Sequence, residues 1–255
     1  MQKAVGTMHE LFALEEMAAG NTWVHRLHPV FKLAATLSYI VCVVSVGRLN
    51  FPTLSPFFFY PALLMAFSGI PVRAVARRAL LALPFALFAG VSNLFFEPMA
   101  NGLASLVVLV EKTLLTVSAV VILMATTPSP KLFASLRLIG IPKALVTVLM
   151  LTLRYLTLIA SEAGRMARAY RLRAGGEKGI RMKDMGSFVG QLLLRSVDRA
   201  ERVYAAMKLR GYDGAFPLET TQRTDLASVG FFFIVTGASV LFRFFTITDL
   251  MNRMI

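Results

Sequence analysis

Charge is scarce in this chain, and negative charge is scarcer still. Asp, Glu, Lys and Arg make up 16% of the 255 residues, where a soluble domain carries about a quarter. There are 14 acidic residues against 27 basic ones, a net charge of +13. The one cysteine, Cys42, lies in an apolar run, which excludes a disulfide framework and a thiolate metal site. No GxxxxGK followed by Ser or Thr is present, so a phosphate loop for ATP is excluded too. The GGEKG segment (175–179) has glycines and a lysine but not that spacing, and reads as a helix–helix loop. No Ser/His/Asp or Cys/His arrangement points to nucleophilic catalysis, and no carboxylate pair is spaced for acid–base work. The start, MQKAVGTMHELFALEEMAAGNTW, has acidic residues and no long apolar core, so it does not read as a signal peptide.

What the chain has in quantity is apolar sequence: 56% hydrophobic residues and a mean hydropathy of +0.67. Five stretches approach the roughly 20 residues that a membrane span needs. They are 30–47, 53–70, 79–96, 102–125 and 226–245. The reading is an all-α integral membrane protein with about five transmembrane helices. Basic residues in short loops favour the cytoplasmic side. Arg73, Arg77 and Arg78 therefore place the second loop there, and Lys32 with Arg26 places the N-terminus on the same side. The fourth span then ends in the cytoplasm at TTPSPK (126–131).

By hydropathy PKALVTVLMLTLRYLTLIA (142–160) is a candidate sixth span. That would put residues 161–213, with 12 of the 27 basic residues, on the outside, against the charge bias. It would also set Arg154 near the bilayer centre, at about 2.5–3.5 kcal/mol on insertion scales. The preferred alternative is a long helix packed on other protein or lying in the membrane interface, with Leu145, Leu149, Leu153, Leu156 and Ala160 at helical spacing. Residues 1–126 then form an N-terminal segment and a four-span membrane domain. Residues 127–214 form a cytoplasmic module of three helices, and 215–255 carry the last span.

In that module Thr127, before Pro128 and Pro130, opens a short helix with Leu132, Phe133 and Leu136 on one face, closed by Gly140. Pro142 opens a long second helix that runs out at Ala174-Gly175-Gly176. A third covers roughly 185–210 and stops at Gly211, with Val189, Leu192, Leu193, Ser196, Val203 and Met207 as its apolar face. The ends of the second and third helices match at an offset of 37. MARAYRLRAGGE lies over VYAAMKLRGYDG, pairing Arg165 with Arg202, Arg171 with Lys208, Leu172 with Leu209, Arg173 with Arg210 and Ala174 with Gly211. Arginine at a helix C-terminus complements the dipole, but that accounts for one residue at each end. A doubled helix end suits a partner that offers its docking patch twice.

The segment DRAERVYAAMKLRGYDG resembles the signature of the T component, the CbiQ-like transmembrane protein, of energy-coupling factor transporters. The likeness extends to HRLHPVFKLAATL, TTPSPKLFASLRLIGIPKAL and LTLRYL, and so covers most of the chain. In that family two Ala-Arg-Gly-like motifs end two cytoplasmic coupling helices; here they correspond to Leu172-Arg173-Ala174 and Leu209-Arg210-Gly211. Ala174 departs from the usual Gly, and His28 stands where Asp is frequent. The resemblance implies a non-catalytic coupling subunit that binds two ABC-type ATPases on its cytoplasmic side and a substrate-binding membrane protein, the S component, in the bilayer. Arg173 and Arg210 would dock the ATPases, with Arg165, Arg168, Arg171, Arg202 and Lys208 in support. It implies no cofactor. The match looks most like the cobalt branch, with nickel next.

Other residues invite other readings. His25 and His28 stand three apart, with His9 upstream, as capping or interfacial histidines or as contacts to a transition metal; two histidines without cysteine are too few for a closed site. Glu111 and Lys112, inside the fourth span, are costly in lipid and so suggest function, by pairing inside the bundle or facing a partner. With the histidines they support the alternative of a membrane-embedded enzyme. Asn93 and Glu97 read as a polar span end, Gly186 and Gly190 as close helix packing, and FFFY (57–60) as lipid or partner packing. The arginines of the module come without interleaved stacking aromatics, so nucleic acid is not an expected partner. In a Cys42→Ser chain, single cysteines placed in 161–213 should react with an impermeant maleimide from the cytoplasmic side; reaction only from outside would overturn the five-span topology.

Overall fold

The computed structural model describes residues 15–47, 54–96, 98–175, 179–214 and 225–244. His9, Glu97, Gly176 to Lys178 and the side chain of Asn93 lie outside the described residues, and so do the readings made of them. Among the described residues the helices with both ends placed are α1 (Trp23–Arg26), α2 (Pro29–Ser45), α3 (Phe59–Ser68, after a 3₁₀ turn at Ser55–Phe58), α4 (Val72–Leu80), α5 (Leu83–Phe96), α6 (Met99–Thr126), α7 (Ser129–Leu138), α8 (Lys143–Arg173), α9 (Met182–Leu209) and α10 (Leu226–Phe244). No strand occurs among the described residues. The protein is an all-α membrane protein. The chain divides into two compact units, with a boundary in sequence between Ser135 and Leu136, inside α7; α10 belongs with the first, and α8 and α9 with the end of α7 form the second.

In the first unit α6 is central, with α2, α3, α4 and α5 against it and α10 against α2. Apolar side chains fill two layers. One gathers Tyr39, Val43, Leu54, Phe57, Val108 and Leu115, the other Val24, Leu64, Ile70, Val75, Ile122 and Ala125. Gly90 lets α5 approach α6 closely, since a β-carbon there would lie 3.0 Å from Leu106 Cγ. Pro29 begins α2 with its fixed φ and missing N–H, and His28 caps it by accepting from the Val30 N–H at 3.4 Å.

Polar contacts tie α2 at both ends. Lys32 is 3% exposed, and its Nζ donates to the Thr126 carbonyl at 2.9 Å, where α6 stops. From the next turn Thr36 Oγ1 donates to the Lys32 carbonyl at 2.8 Å and meets Tyr60 Oη at 3.0 Å. The Tyr60 ring stacks on Tyr39 at 4.3 Å, and Tyr39 Oη donates to the Phe57 carbonyl at 2.9 Å. At the other end of α2, Lys112 of α6 donates to the Val44 carbonyl at 3.0 Å and to that of Val46, and Arg243 of α10 donates to the Ser45 carbonyl at 3.1 Å. Because Lys32 meets Thr126 while Lys112 meets 44–46, α2 and α6 are antiparallel.

Four helical runs are long and apolar enough to cross a membrane: Val72–Ser92, Asn101–Thr126, Lys143–Arg173 and Leu226–Phe244. Pro29–Ser45 and Ser55–Ser68 are apolar and shorter. The expected third span over 79–96 needs correction. The chain turns at Leu81–Ala82, so Ala79 belongs to the basic helix α4 and α5 starts at Leu83. Pro84 explains the break: it has no N–H for an i→i−4 bond, and its ring clashes with the carbonyl one turn back.

Lys32→Met leaves the buried Thr126 carbonyl without its donor. Such a loss should destabilise by about 1–3 kcal/mol, read as a lower thermal midpoint of the detergent-solubilised chain. Lys112→Met, at a partly exposed helix end, should lower it less; an unchanged midpoint for Lys32→Met would show that the contact contributes no stability.

Candidate functional site

The second unit is built on α8, 31 residues long, and α9, 28 residues long. Each was expected to carry an apolar face, that of α8 packed on other protein or lying in the membrane interface, and little of either is buried in this chain. In α8 only Val146, Thr147 and Ala167 are buried, while Leu145 and Leu156 are 52% and 42% exposed; no residue of α9 is buried. The half-covered stripe of α9 runs through Asp184, Phe188, Leu192, Ser196, Arg199, Val203 and Met207. Val189 and Leu193, expected on the apolar face of this helix, are exposed with Val197 and Tyr204. Periodicity identifies residues that share a face, but α9 has two apolar faces, and only packing shows which one is covered.

Side-chain bonds fix how α9 turns back along α8. Tyr170 Oη donates to Asp184 Oδ2 at 2.6 Å, and farther along Arg195 Nη1 donates to Glu162 Oε1 at 2.6 Å. Arg165 pairs with the other oxygen of Glu162. These two guanidinium groups hold the Glu162 carboxyl below the ordinary carboxylate range, while the bond to Asp184 raises the Tyr170 phenol. Sequence reasoning overlooked this junction, although it left a signal: Glu162 is the one acidic residue between Glu111 and Glu177.

The two matched helix ends lie on opposite sides of the Glu162–Arg195 contact. Arg173 is 11 residues beyond Glu162 (173 − 162) and Arg210 is 15 beyond Arg195 (210 − 195), or about 16 and 22 Å of helix. Leu172 is 86% and Leu209 90% exposed, and Arg173, Arg210 and Gly211 are exposed with Arg168, Arg171, Arg202 and Lys208. Ala174 is half-buried. Lys208 lies over the Tyr204 ring at 5.4 Å, and Arg165 is engaged by Glu162. The five basic residues around the motifs are thus not equivalent in their surroundings.

Both ends close with a left-handed glycine, in registers that differ by one residue from the sequence match. Ala174 caps α8 at φ −85°, its N–H donating to the Tyr170 carbonyl at 2.9 Å, and Gly175 turns out at φ +67°. Arg210 caps α9 at φ −91°, and Gly211 turns out at φ +82°. There the Gly211 N–H reaches the Lys208 carbonyl and the Tyr212 N–H the Met207 carbonyl, each at 3.0 Å, a Schellman closure. By backbone role Ala174 matches Arg210, and Gly175 matches Gly211. The departure at Ala174 therefore leaves the turn intact.

The residues of the enzyme alternative do not come together. His25 is bonded to Thr22 Oγ1 at 2.6 Å and to the Met17 carbonyl at 3.1 Å, and the His28 N–H donates to Ser228 Oγ at 2.9 Å. Partial burial lowers the His28 imidazole below its ordinary value. Both histidines precede α2, whereas Lys112 is held at its far end, some 17 residues away, or about 25 Å. Glu111, with one buried carboxyl oxygen that has no hydrogen-bond partner, adjoins Lys112. Among the described residues no three His, Cys, Asp or Glu side chains are grouped to hold a metal ion. Of the FFFY cluster, Phe57 is buried, while Phe58 and Phe59 are exposed.

The sequence model of the CbiQ family, described as cobalt transport protein, matches residues 20–222. The cobalt transport protein CbiQ of Rhodobacter capsulatus is 31% identical over 39% of this chain and 41% of its own length. The nickel permease LarQ of Lactiplantibacillus plantarum is 27% identical over 64% of this chain and 56% of its own. The energy-coupling factor transporter transmembrane protein EcfT of Lacticaseibacillus paracasei is 26% identical over 88% of this chain and 96% of its own. The matched stretch thus spans less than two thirds of the first two and nearly all of the third.

A β-carbon at Gly211 meets nothing within 4 Å, so Gly211→Ala is strained only through its positive φ, by about 1–2 kcal/mol. Amide exchange at the end of α9 should quicken accordingly. Ala174→Gly, at a negative φ, should leave exchange at the end of α8 within twofold of the parent; a large change there would contradict the register given above.

Proposed function

The chain belongs to the CbiQ family of cobalt transport proteins, and on that premise we propose that it is the coupling subunit of an ATP-driven energy-coupling factor importer. Two ABC-type ATPase subunits dock on the ends of α8 and α9, and an S component sits beside the chain in the bilayer. Motion at the ATPases passes through α8 and α9 to the S component. ATP hydrolysis belongs to the ATPases. The observation that carries this reading is the pair of outward-facing helix ends. Each presents an almost fully exposed leucine followed by an exposed arginine, closed by a glycine, on opposite sides of one helix contact.

Arginine suits that task because its planar fork reaches carboxylate and carbonyl acceptors in fixed geometry. The small residues next to each arginine let another backbone come close. The same reading puts α7–α9 on the cytoplasmic side, with the apolar surface of α8 against the membrane interface or another subunit. The charge of 161–213 favours that placement over a span, although α8 is long and apolar enough for one. Cobalt is the proposed cargo and nickel the second, in line with what CbiQ and LarQ are named for.

Losing one side of a buried charged contact costs roughly 2–5 kcal/mol. Arg173→Ala and Arg210→Ala should each weaken co-purification of the ATPase pair, and the double substitution should abolish it together with ATP-dependent cobalt uptake. A double variant that keeps both the complex and uptake would overturn the docking assignment.

A further inference from the structure

Beside the end of α9 lies an open groove of about 770 Å³, lined from the end of α7 by Arg137, from α8 by Leu151, Arg154 and Tyr155, and from α9 and its closing turn by Val203, Met207, Arg210 and Asp213. Its walls hold three guanidinium groups and one carboxylate, so it is positive by two charges (3 − 1). Leu151, Val203 and Met207 give the same groove apolar lining. Arg154 stands within the apolar stretch 142–160, where a guanidinium needs an anion or water at the end of its stem. Arginines and apolar side chains lining one groove, on a helix whose residues Leu145 and Val148 are 52% and 61% exposed, fit an amphiphile better than a soluble ion. Basic pockets of this kind between helices on the cytoplasmic side suit anionic lipid headgroups.

We propose that this groove holds the phosphodiester headgroup of an anionic phospholipid, with Arg137 and Arg154 on the phosphate and the upper acyl chain along Leu151 and Met207. The lipid would sit next to Arg210 and tie the second helix end to the membrane surface, which is a feature absent from the docking reading. The proposal rests on that reading only in placing α8 at the membrane surface. Labelling of 161–213 solely from outside would remove that support separately.

The test uses the full-length chain in neutral detergent with dansyl-labelled phosphatidylglycerol, and with phosphatidylglycerol, phosphatidylcholine or inorganic phosphate as competitor. Arg210 is left intact because it is assigned to docking. The expected result is displacement by unlabelled phosphatidylglycerol but not by phosphatidylcholine or millimolar phosphate. Removing one arginine should weaken binding about fivefold, and Arg137→Gln/Arg154→Gln together about thirtyfold. Ala206→Glu, which adds a carboxylate at an exposed groove position, should weaken binding with helicity unchanged even if the arginine pair were needed for folding. Arg73→Gln/Arg77→Gln on α4, outside the groove, should bind as the parent does. Parent-like binding by both folded groove variants, or equal displacement by phosphatidylcholine, would overturn the proposal. Displacement by inorganic phosphate as effective as by the lipid would overturn it in favour of a free-anion site. No ATPase is present, so failure here leaves the docking of Arg173 and Arg210 untouched.

Discussion

An α-helix leaves its last carbonyls without intrahelical donors, and within a bilayer water cannot supply them. At the ends of α2 and α6 cations from other helices do so. Lys32 closes the end of α6 at Thr126, and Lys112 with Arg243 closes the end of α2 at Val44, Ser45 and Val46. Each bond joins two helices, so satisfying the carbonyls also sets the antiparallel register of α2 and α6 and brings α10 to the same end. The apolar layers around Tyr39 and Ile122 fill the space that this register defines. Charges that are costly in lipid are thus placed where they replace the missing solvent.

The helices from α7 to α9 end differently, as α3 does at Gly69 with φ +70°. Gly140, Gly175 and Gly211 adopt positive φ and close α7, α8 and α9 through local turns. No cation from another helix is needed there, and Arg173 and Arg210 stay exposed. Glu162 takes up Arg165 and Arg195 and holds the two long helices together between those ends. Local closure and a central clasp leave both arginines, and the leucines before them, exposed.

The two ends are alike in backbone and unlike in surroundings. Beside Arg210 the arginines of α7 and α8 and the tyrosines Tyr155 and Tyr212 line a groove; in the last turn before Arg173, Tyr170 Oη accepts from the Arg181 N–H at 3.5 Å. Two docking subunits would therefore meet the same knob in different settings. Leu145, Val148 and Leu156 of α8 and Val189, Leu193 and Val197 of α9 are exposed as well.

Much of the fold was legible in the sequence because it is written locally. Twenty-residue apolar runs located α2, α6 and α10 to within a few residues, Pro142 marked a helix start, and Gly140 and Gly211 marked stops. The doubled helix end was visible for the same reason, since a turn and its neighbours are specified within one short segment. Only the tertiary structure decided which charges serve as caps, because Lys32 and Thr126 lie 94 positions apart, and hydropathy scores a lysine alike whether it faces lipid or a carbonyl. It likewise decided which face of α9 is covered, joined Glu162 to Arg195 across 33 positions, and moved the register of the two ends by one residue. Backbone torsions, not residue identity, determine which position makes the left-handed turn.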